Sequence, residues 1–93
     1  MRQLSSSQEL FFKTLHEIQE EVVQTALSKS SYENAESLLY DVTYETIYHI
    51  MEFIDGYTKG NLQLDIIDKE TKQSLRENIQ LHDVCADFIK YTI

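Results

Sequence analysis

The sequence predicts an α+β fold of mainly helical character, with the order α-α-β-β-α in a single domain spanning 1–93. Apolar residues recur at helical spacing in two long stretches and one shorter C-terminal stretch, and they alternate at strand spacing over 62–67. A length of 93 residues suits one domain, since single cores usually form in units of roughly 50–200 residues. We expect residues 1–6 to be disordered or loosely ordered, because they precede the first helical pattern.

The first helix is predicted over 7–28. Ser6 and Glu9 have the spacing of a capping box, which marks a helix N-terminus. One helical face then carries apolar residues three or four positions apart. These residues are Phe11, Leu15, Ile18, Val22 and Ala26.

The second helix is predicted over 32–55, antiparallel to the first, with Ser30 and Glu33 as a second capping box. Gly56 is expected to end this helix, because glycine accepts the left-handed conformation that follows many helices. Apolar side chains sweep roughly 240° of the helix surface, so it needs neighbours on two sides. We expect the third helix and the hairpin, or a second copy of the chain, to cover one of these sides. That side carries Leu39, Val42, Ile50 and Phe53.

A small β-hairpin is predicted next. Alternation over 62–67 indicates a half-buried strand, 68–72 a loop, and 73–76 the return strand. A lone hairpin is marginal in water, so we expect it to lie on the helices. The last helix is predicted over 79–91 with Asn78 as its cap. The predicted core lies centrally on the three helical stripes: Leu15, Ile18, Val22, Ile47, Met51, Ile54, Leu81, Val84 and Phe88.

Composition excludes several classes of protein. The single cysteine, Cys85, allows no intramolecular disulfide and suggests a reducing, cytoplasmic location. No run of 18 apolar residues is present and the N-terminus lacks the apolar segment of a signal peptide, so we expect no membrane association. A net charge of −8 disfavours direct binding to nucleic acid, which requires lysine and arginine to displace counterions.

Catalytic signatures are also missing from the sequence. Two glycines cannot build a phosphate-binding loop, and we therefore predict no cofactor and no enzymatic activity. His16, His49 and His82 fall one on each predicted helix, but each lies roughly 90–140° from the apolar stripe, so we expect them at flanks or in solvent, without a metal. Carboxylate pairs three residues apart, Glu17 with Glu20 and Glu52 with Asp55, leave a metal-dependent hydrolase as an alternative.

The strongest functional signal lies in residues 32–58, which contain six carboxylates, five of the six tyrosines and neither lysine nor arginine. The polar strip of the second helix is the candidate binding face. Its predicted residues are Asp41, Glu45, Glu52 and Asp55, with Tyr48 as an aromatic anchor. An acidic rim accelerates association with basic partners. We therefore predict a small acidic, non-enzymatic binding protein of the immunity, inhibitor or regulatory type, acting on a protein partner that is expected to be basic.

Two alternatives to this interpretation stay open. The ridge formed by Tyr40, Tyr44 and Tyr48 is equally suited to a core edge that closes the first helix against the second, since tyrosine buries a ring while its hydroxyl stays wet. The broad apolar arc of the second helix would also fit a structural homo-oligomer, in which a homodimer covers it.

Overall fold

The computed structural model describes residues 3–29, 31–57 and 62–91. These ranges contain three helices, α1 (Ser6–Ser28), α2 (Ala35–Ile54) and α3 (Leu81–Phe88). The predicted α+β class is wrong, because the described residues form no strand and show one isolated antiparallel bridge, between Ile67 and Ser74. In this part of the chain no helix is both long and apolar enough to cross a membrane.

The N-terminus of α1 lies one residue earlier than predicted. The Ser5 hydroxyl accepts a hydrogen bond from the backbone N–H of Gln8 at 3.1 Å, and the Gln8 side chain accepts one from the backbone N–H of Ser5 at 2.9 Å. The predicted capping box of Ser6 and Glu9 is therefore replaced by Ser5 and Gln8, in which the glutamine amide plays the part expected of the glutamate.

The second helix starts three residues later than predicted. The Asn34 side chain caps it by accepting a hydrogen bond from the backbone N–H of Ser37 at 2.8 Å. The predicted cap, Ser30, lies outside the described residues. At the other end the prediction for Gly56 is confirmed. Its φ of 95° lets the backbone N–H of Gly56 bond to Phe53 O and that of Tyr57 to Glu52 O, the Schellman arrangement.

Helices α1 and α2 are antiparallel. The rings of Phe11 and Phe53 lie 5.5 Å apart at one end of the pair, and Lys29 meets Asp41 at the other. Ile18, Val22 and Phe53 form the buried core between them. Partly buried apolar side chains surround it: Phe11, Leu15, Val42, Ile50, Leu62 and Leu64.

This packing corrects the expectation for the side of α2 that carries Val42, Ile50 and Phe53. Helix α1 covers that side, with help from Leu62 and Leu64, and neither α3 nor a second copy is needed there. Leu39 was expected to be covered together with Val42, Ile50 and Phe53, but it lies near the start of α2 and is 62% exposed.

Helix α3 packs on the opposite side of α2, near Ile47 and Met51. Of the predicted core, Ile18 and Val22 are buried and the prediction for them is confirmed. Phe88 is 84% exposed, so its predicted burial is wrong. The other members are half-buried: Leu15, Ile47, Met51, Ile54, Leu81 and Val84. Cys85 is 5% exposed and replaces Phe88 as the buried residue of α3.

The predicted hairpin does not form, and side-chain hydrogen bonds join its two arms where strand pairing was expected. Residues 62–67 do alternate between half-buried and exposed, as an extended arm should. The return arm, however, turns away after Ser74, where Glu77 N bonds to Ser74 O at 3.2 Å. The Arg76 guanidinium donates to Leu64 O at 2.8 Å, and the Ser74 hydroxyl donates to Asp65 at 2.7 Å. Pairing therefore ends at one bridge.

The predicted third helix, 79–91, shortens to Leu81–Phe88. Asn78 was expected to cap it, but this residue has a φ of 63° and belongs to the turn that precedes the helix. Gln80 occupies the N-cap position and makes no side-chain cap bond. The cap comes from α2 instead.

Candidate protein-binding face

The predicted binding residues lie along α2 and just past its end, but they do not form one exposed strip. Glu45, Tyr48 and Glu52 are half-buried and accessible. Asp41 is 6% exposed, and the side chain of Asp55 is completely shielded. The expectation that Asp41 and Asp55 are exposed is therefore wrong, and each has internal partners that explain its burial.

Asp41 is held by residues from the connection between α1 and α2. Lys29 Nζ lies 2.5 Å from Asp41 Oδ2, and the Tyr32 hydroxyl donates to the same oxygen. Burial acts to raise the pKa of Asp41, but the bonds from Lys29 and Tyr32 outweigh it and hold that pKa below its usual range. Asp41 therefore fastens the connection to α2 and is not available to a partner.

Asp55 provides the cap of α3. Its carboxylate accepts hydrogen bonds from the backbone N–H groups of Leu81 and His82, each at 3.0 Å, and from His82 Nδ1 at 2.6 Å. Arg76 Nε lies 3.3 Å from Asp55 Oδ1, and an Arg76 terminal nitrogen donates to the backbone carbonyl of Asp55 at 3.4 Å. This role explains why His82 is inside, with a side chain 11% exposed, and not at a flank as predicted.

Glu45 and Glu52 flank the ring of His49 on α2. His49 Nε2 lies 3.4 Å from Glu45, and His49 Nδ1 lies 2.9 Å from Glu52. Their spacings of four and three residues bring all three side chains onto one helical face. The contact between His49 and Glu52 is a hydrogen bond, whereas Glu45 lies farther from the ring. Both carboxylates remain accessible, with side chains 36% and 29% exposed.

An acidic groove lies beside this face, between α1 and α2. It has a volume of about 290 Å³ and is lined by Thr14, Glu17, Ile18, Glu21, His49, Glu52 and Tyr57. Lysine and arginine are absent from these lining residues. Neither Glu17 nor Glu21 forms an ion pair with another residue in the described ranges, and their separation of four residues places like charges side by side. A cationic group entering the groove would relieve that repulsion.

The tyrosine ridge packs mainly against the C-terminal part of the chain. The Tyr44 ring lies 4.9 Å from that of Tyr91, and the Tyr48 ring lies edge-on to that of His82 at 5.6 Å. Lys90 Nζ sits 4.3 Å from the centre of the Tyr40 ring. The ridge is thus a core edge, but it closes α2 against α3 and the residues after it, and not α1 against α2.

Sequence reasoning missed three residues of the groove, namely Glu17, Glu21 and Tyr57. Glu17 and Glu21 lie on the same side of α1, opposite the apolar stripe. In the sequence alone this side looks like an ordinary solvated surface, and the groove becomes visible only once α2 is placed beside it. Tyr57 follows the residue that ends α2 and is 59% exposed. Its ring contacts that of His82 at 5.0 Å, and its hydroxyl donates to Gln80.

The three histidines occupy separate environments. His16 is exposed on α1, His49 faces the acidic groove, and His82 is bonded to Asp55. Among the residues that the structure describes, no three histidine, cysteine or carboxylate side chains are grouped so as to hold a metal ion. The geometry places several carboxylates beside the exposed ring of Tyr57, which suits recognition of a cationic group.

Comparison with family models finds no match, and no curated protein or solved structure is significantly similar to the chain. The functional assignment is therefore built on the geometry of the face itself.

Proposed function

We propose that the chain is a small acidic, non-enzymatic binding protein that holds a basic segment of a protein partner in the groove between α1 and α2. The observation that carries the proposal is the groove itself, with Glu17, Glu21 and Glu52 on its walls and no lysine or arginine among its lining residues. Inhibitors, immunity proteins and regulatory subunits share this chemistry. A reducing cytoplasm suits the buried free thiol of Cys85.

Electrostatics supports a basic partner. The whole chain carries a net charge of −8, and the carboxylates concentrated at the groove would focus that field on its mouth. Such a field raises the rate of association with cationic surfaces and repels nucleic acid. Glu45 extends the acidic rim along α2. Asp41 and Asp55 add to the overall charge, but their carboxylates are occupied by internal bonds.

The aromatic anchor is best assigned to Tyr57, with Tyr48 behind it. Tyr57 is 59% exposed and lines the groove, whereas Tyr48 is half-buried against His82. An exposed tyrosine can lie over a lysine or arginine side chain, and cation–π contacts of this kind contribute about 0.5–2 kcal/mol. We therefore expect the carboxylates to govern the rate of association and Tyr57 to govern the rate of dissociation.

Affinity capture from cells that make the protein tests the proposal, with washing at about 50 mM salt, where charge interactions are weakly screened. One bait is the wild-type chain, and a second carries Glu17→Gln, Glu21→Gln and Glu52→Gln. A control bait carries Glu20→Gln, Glu70→Gln and Glu77→Gln, which removes the same charge from exposed positions outside the groove.

Support requires a basic protein that the wild type and the control retain and the groove variant loses. Its purified form should also associate at least tenfold more slowly with the groove variant and dissociate faster from a Tyr57→Ala chain. Equal retention by all three baits, or no retained basic protein, would overturn the proposal.

A further inference from the structure

The strongest feature that the acidic groove leaves unexplained is an apolar face on the other side of the molecule, between α2 and α3. An open cleft of about 240 Å³ lies there, with Ile47 and Met51 of α2 on one wall and Val84 and Phe88 of α3 on the other. Ile79 closes one end. Every residue that lines the cleft is apolar, and contiguous apolar surface of this kind usually marks an interface.

Phe88 dominates this face. It is 84% exposed, more than any other large apolar residue in the described part of the chain, and Ile79 beside it is 48% exposed. A phenylalanine side chain buries roughly 150–250 Å² when it is fully covered. The exposed ring is therefore a considerable source of free energy for any partner that covers it.

The surface area of the chain is large for its mass. The accessible surface is 7462 Å², whereas a folded monomer of 10.9 kDa exposes about 5,600 Å². The excess is roughly 1,900 Å². A stable dimer interface of standard size covers about 800 Å² on each protomer. The excess is spread over the whole chain, and covering the α2–α3 face in a dimer would remove part of it.

The chemistry of the face selects a second copy of the chain over a basic partner. A basic segment would find no carboxylate in the lining to pair with. In a two-fold dimer, charges close to the symmetry axis lie near identical charges. A cleft lined only by apolar residues adds no such repulsion in a chain with a net charge of −8. Wholly apolar lining also resembles the interior of an obligate homodimer interface.

We propose that two copies of the chain associate through the α2–α3 face, with Phe88 of each protomer inserted into the cleft of the other. The acidic groove lies between α1 and α2 and remains open in such a dimer, which would therefore present two acidic grooves. The proposal extends beyond partner binding and is independent of it.

Sedimentation equilibrium between 1 and 100 µM tests the dimer. The variant is Phe88→Glu, and the matched control is Leu27→Glu. Leu27 is 73% exposed and, like Phe88, lies in the last turn of its helix, so the two changes add the same charge in equivalent helical settings. Ile79→Glu is a second variant on the same face, at a position that lies outside α3. Far-UV circular dichroism verifies that each variant is folded.

We expect a mass of two chains at 50 µM for the wild type and for Leu27→Glu, and a mass of one chain for Phe88→Glu and Ile79→Glu with unchanged helix content. The variant with three glutamines in the acidic groove should stay dimeric. A wild type with the mass of one chain at 100 µM would overturn the proposal and leave the face for an amphipathic helix of another protein. A dimeric Phe88→Glu chain would also overturn it, by placing the interface elsewhere.

Discussion

Replacing Asp55 with alanine would test how α3 is attached to the rest of the molecule. The carboxylate accepts three hydrogen bonds, two from backbone N–H groups of Leu81 and His82 and one from the His82 ring, and it lies 3.3 Å from Arg76 Nε. Loss of a helix N-cap costs about 0.5–2 kcal/mol. Removal of one partner from a buried ion pair costs about 3–5 kcal/mol. The Arg76 side chain is 34% exposed but its Nε is buried, so water compensates only a small part of this second cost, and we expect a total loss of about 3–5 kcal/mol.

Urea unfolding followed by far-UV circular dichroism measures this loss, and Asp55→Asn is the matched control. Asparagine retains the shape and one acceptor oxygen but not the charge, so its expected loss is smaller, about 1–2 kcal/mol. A chain of 93 residues has a total stability of roughly 5–14 kcal/mol, so both variants should still fold. A loss below about 0.5 kcal/mol for Asp55→Ala, typical of surface substitutions, would refute the reasoning.

Two further predictions follow from the core and from the same carboxylate. Burial acts to raise the pKa of Asp55, but the bonds from His82 and Leu81 outweigh it and hold that pKa below its ordinary value. The contribution of Asp55 to stability is then complete above about pH 4 and is lost as the pH falls from there through the folded-state pKa. The difference in unfolding free energy between the wild type and Asp55→Asn should therefore shrink from pH 7 to pH 2.5. A difference that stays constant would contradict this. Phe53→Ala should cost about 3–5 kcal/mol in urea unfolding because the side chain is 3% exposed. Leu39→Ala, at a position 62% exposed, should change stability by about 0.5 kcal/mol or less, and equal losses would disprove the packing of α1 on α2.

Local patterns were sufficient for the parts of the fold that local physics controls. The recurrence of Ile18 and Val22 placed the buried face of α1, and Gly56 marked the end of α2 because its φ of 95° suits glycine. The hairpin prediction failed because it could not include the side-chain bonds made to residues 62–67. Arg76 donates to the backbone carbonyl of Leu64 and Ser74 donates to the Asp65 side chain, and alternation of apolar residues reveals neither bond.

The candidate face was only partly accessible to sequence reasoning for a similar reason. Helical angles placed Asp41 and Asp55 on a polar strip, but burial of a carboxylate is decided by the cations and N–H groups that meet it from other segments. Lys29 meets Asp41 from 12 positions away, and His82 meets Asp55 from 27. Glu17 and Glu21 became candidates for the binding face only when α2 was placed beside them.

The bond between Asp55 and α3 also makes the shortest helix dependent on a distant part of the chain. A helix of eight residues is well below the roughly 12–15 residues that an isolated helix needs to persist in water. Gln80 supplies no cap of its own, and the first N–H groups of α3 find their acceptor 26 residues earlier in the chain. The persistence of α3 therefore depends on its contact with the end of α2. Forming that contact closes the long loop between the two helices, at an entropic cost that changes only slowly with loop length.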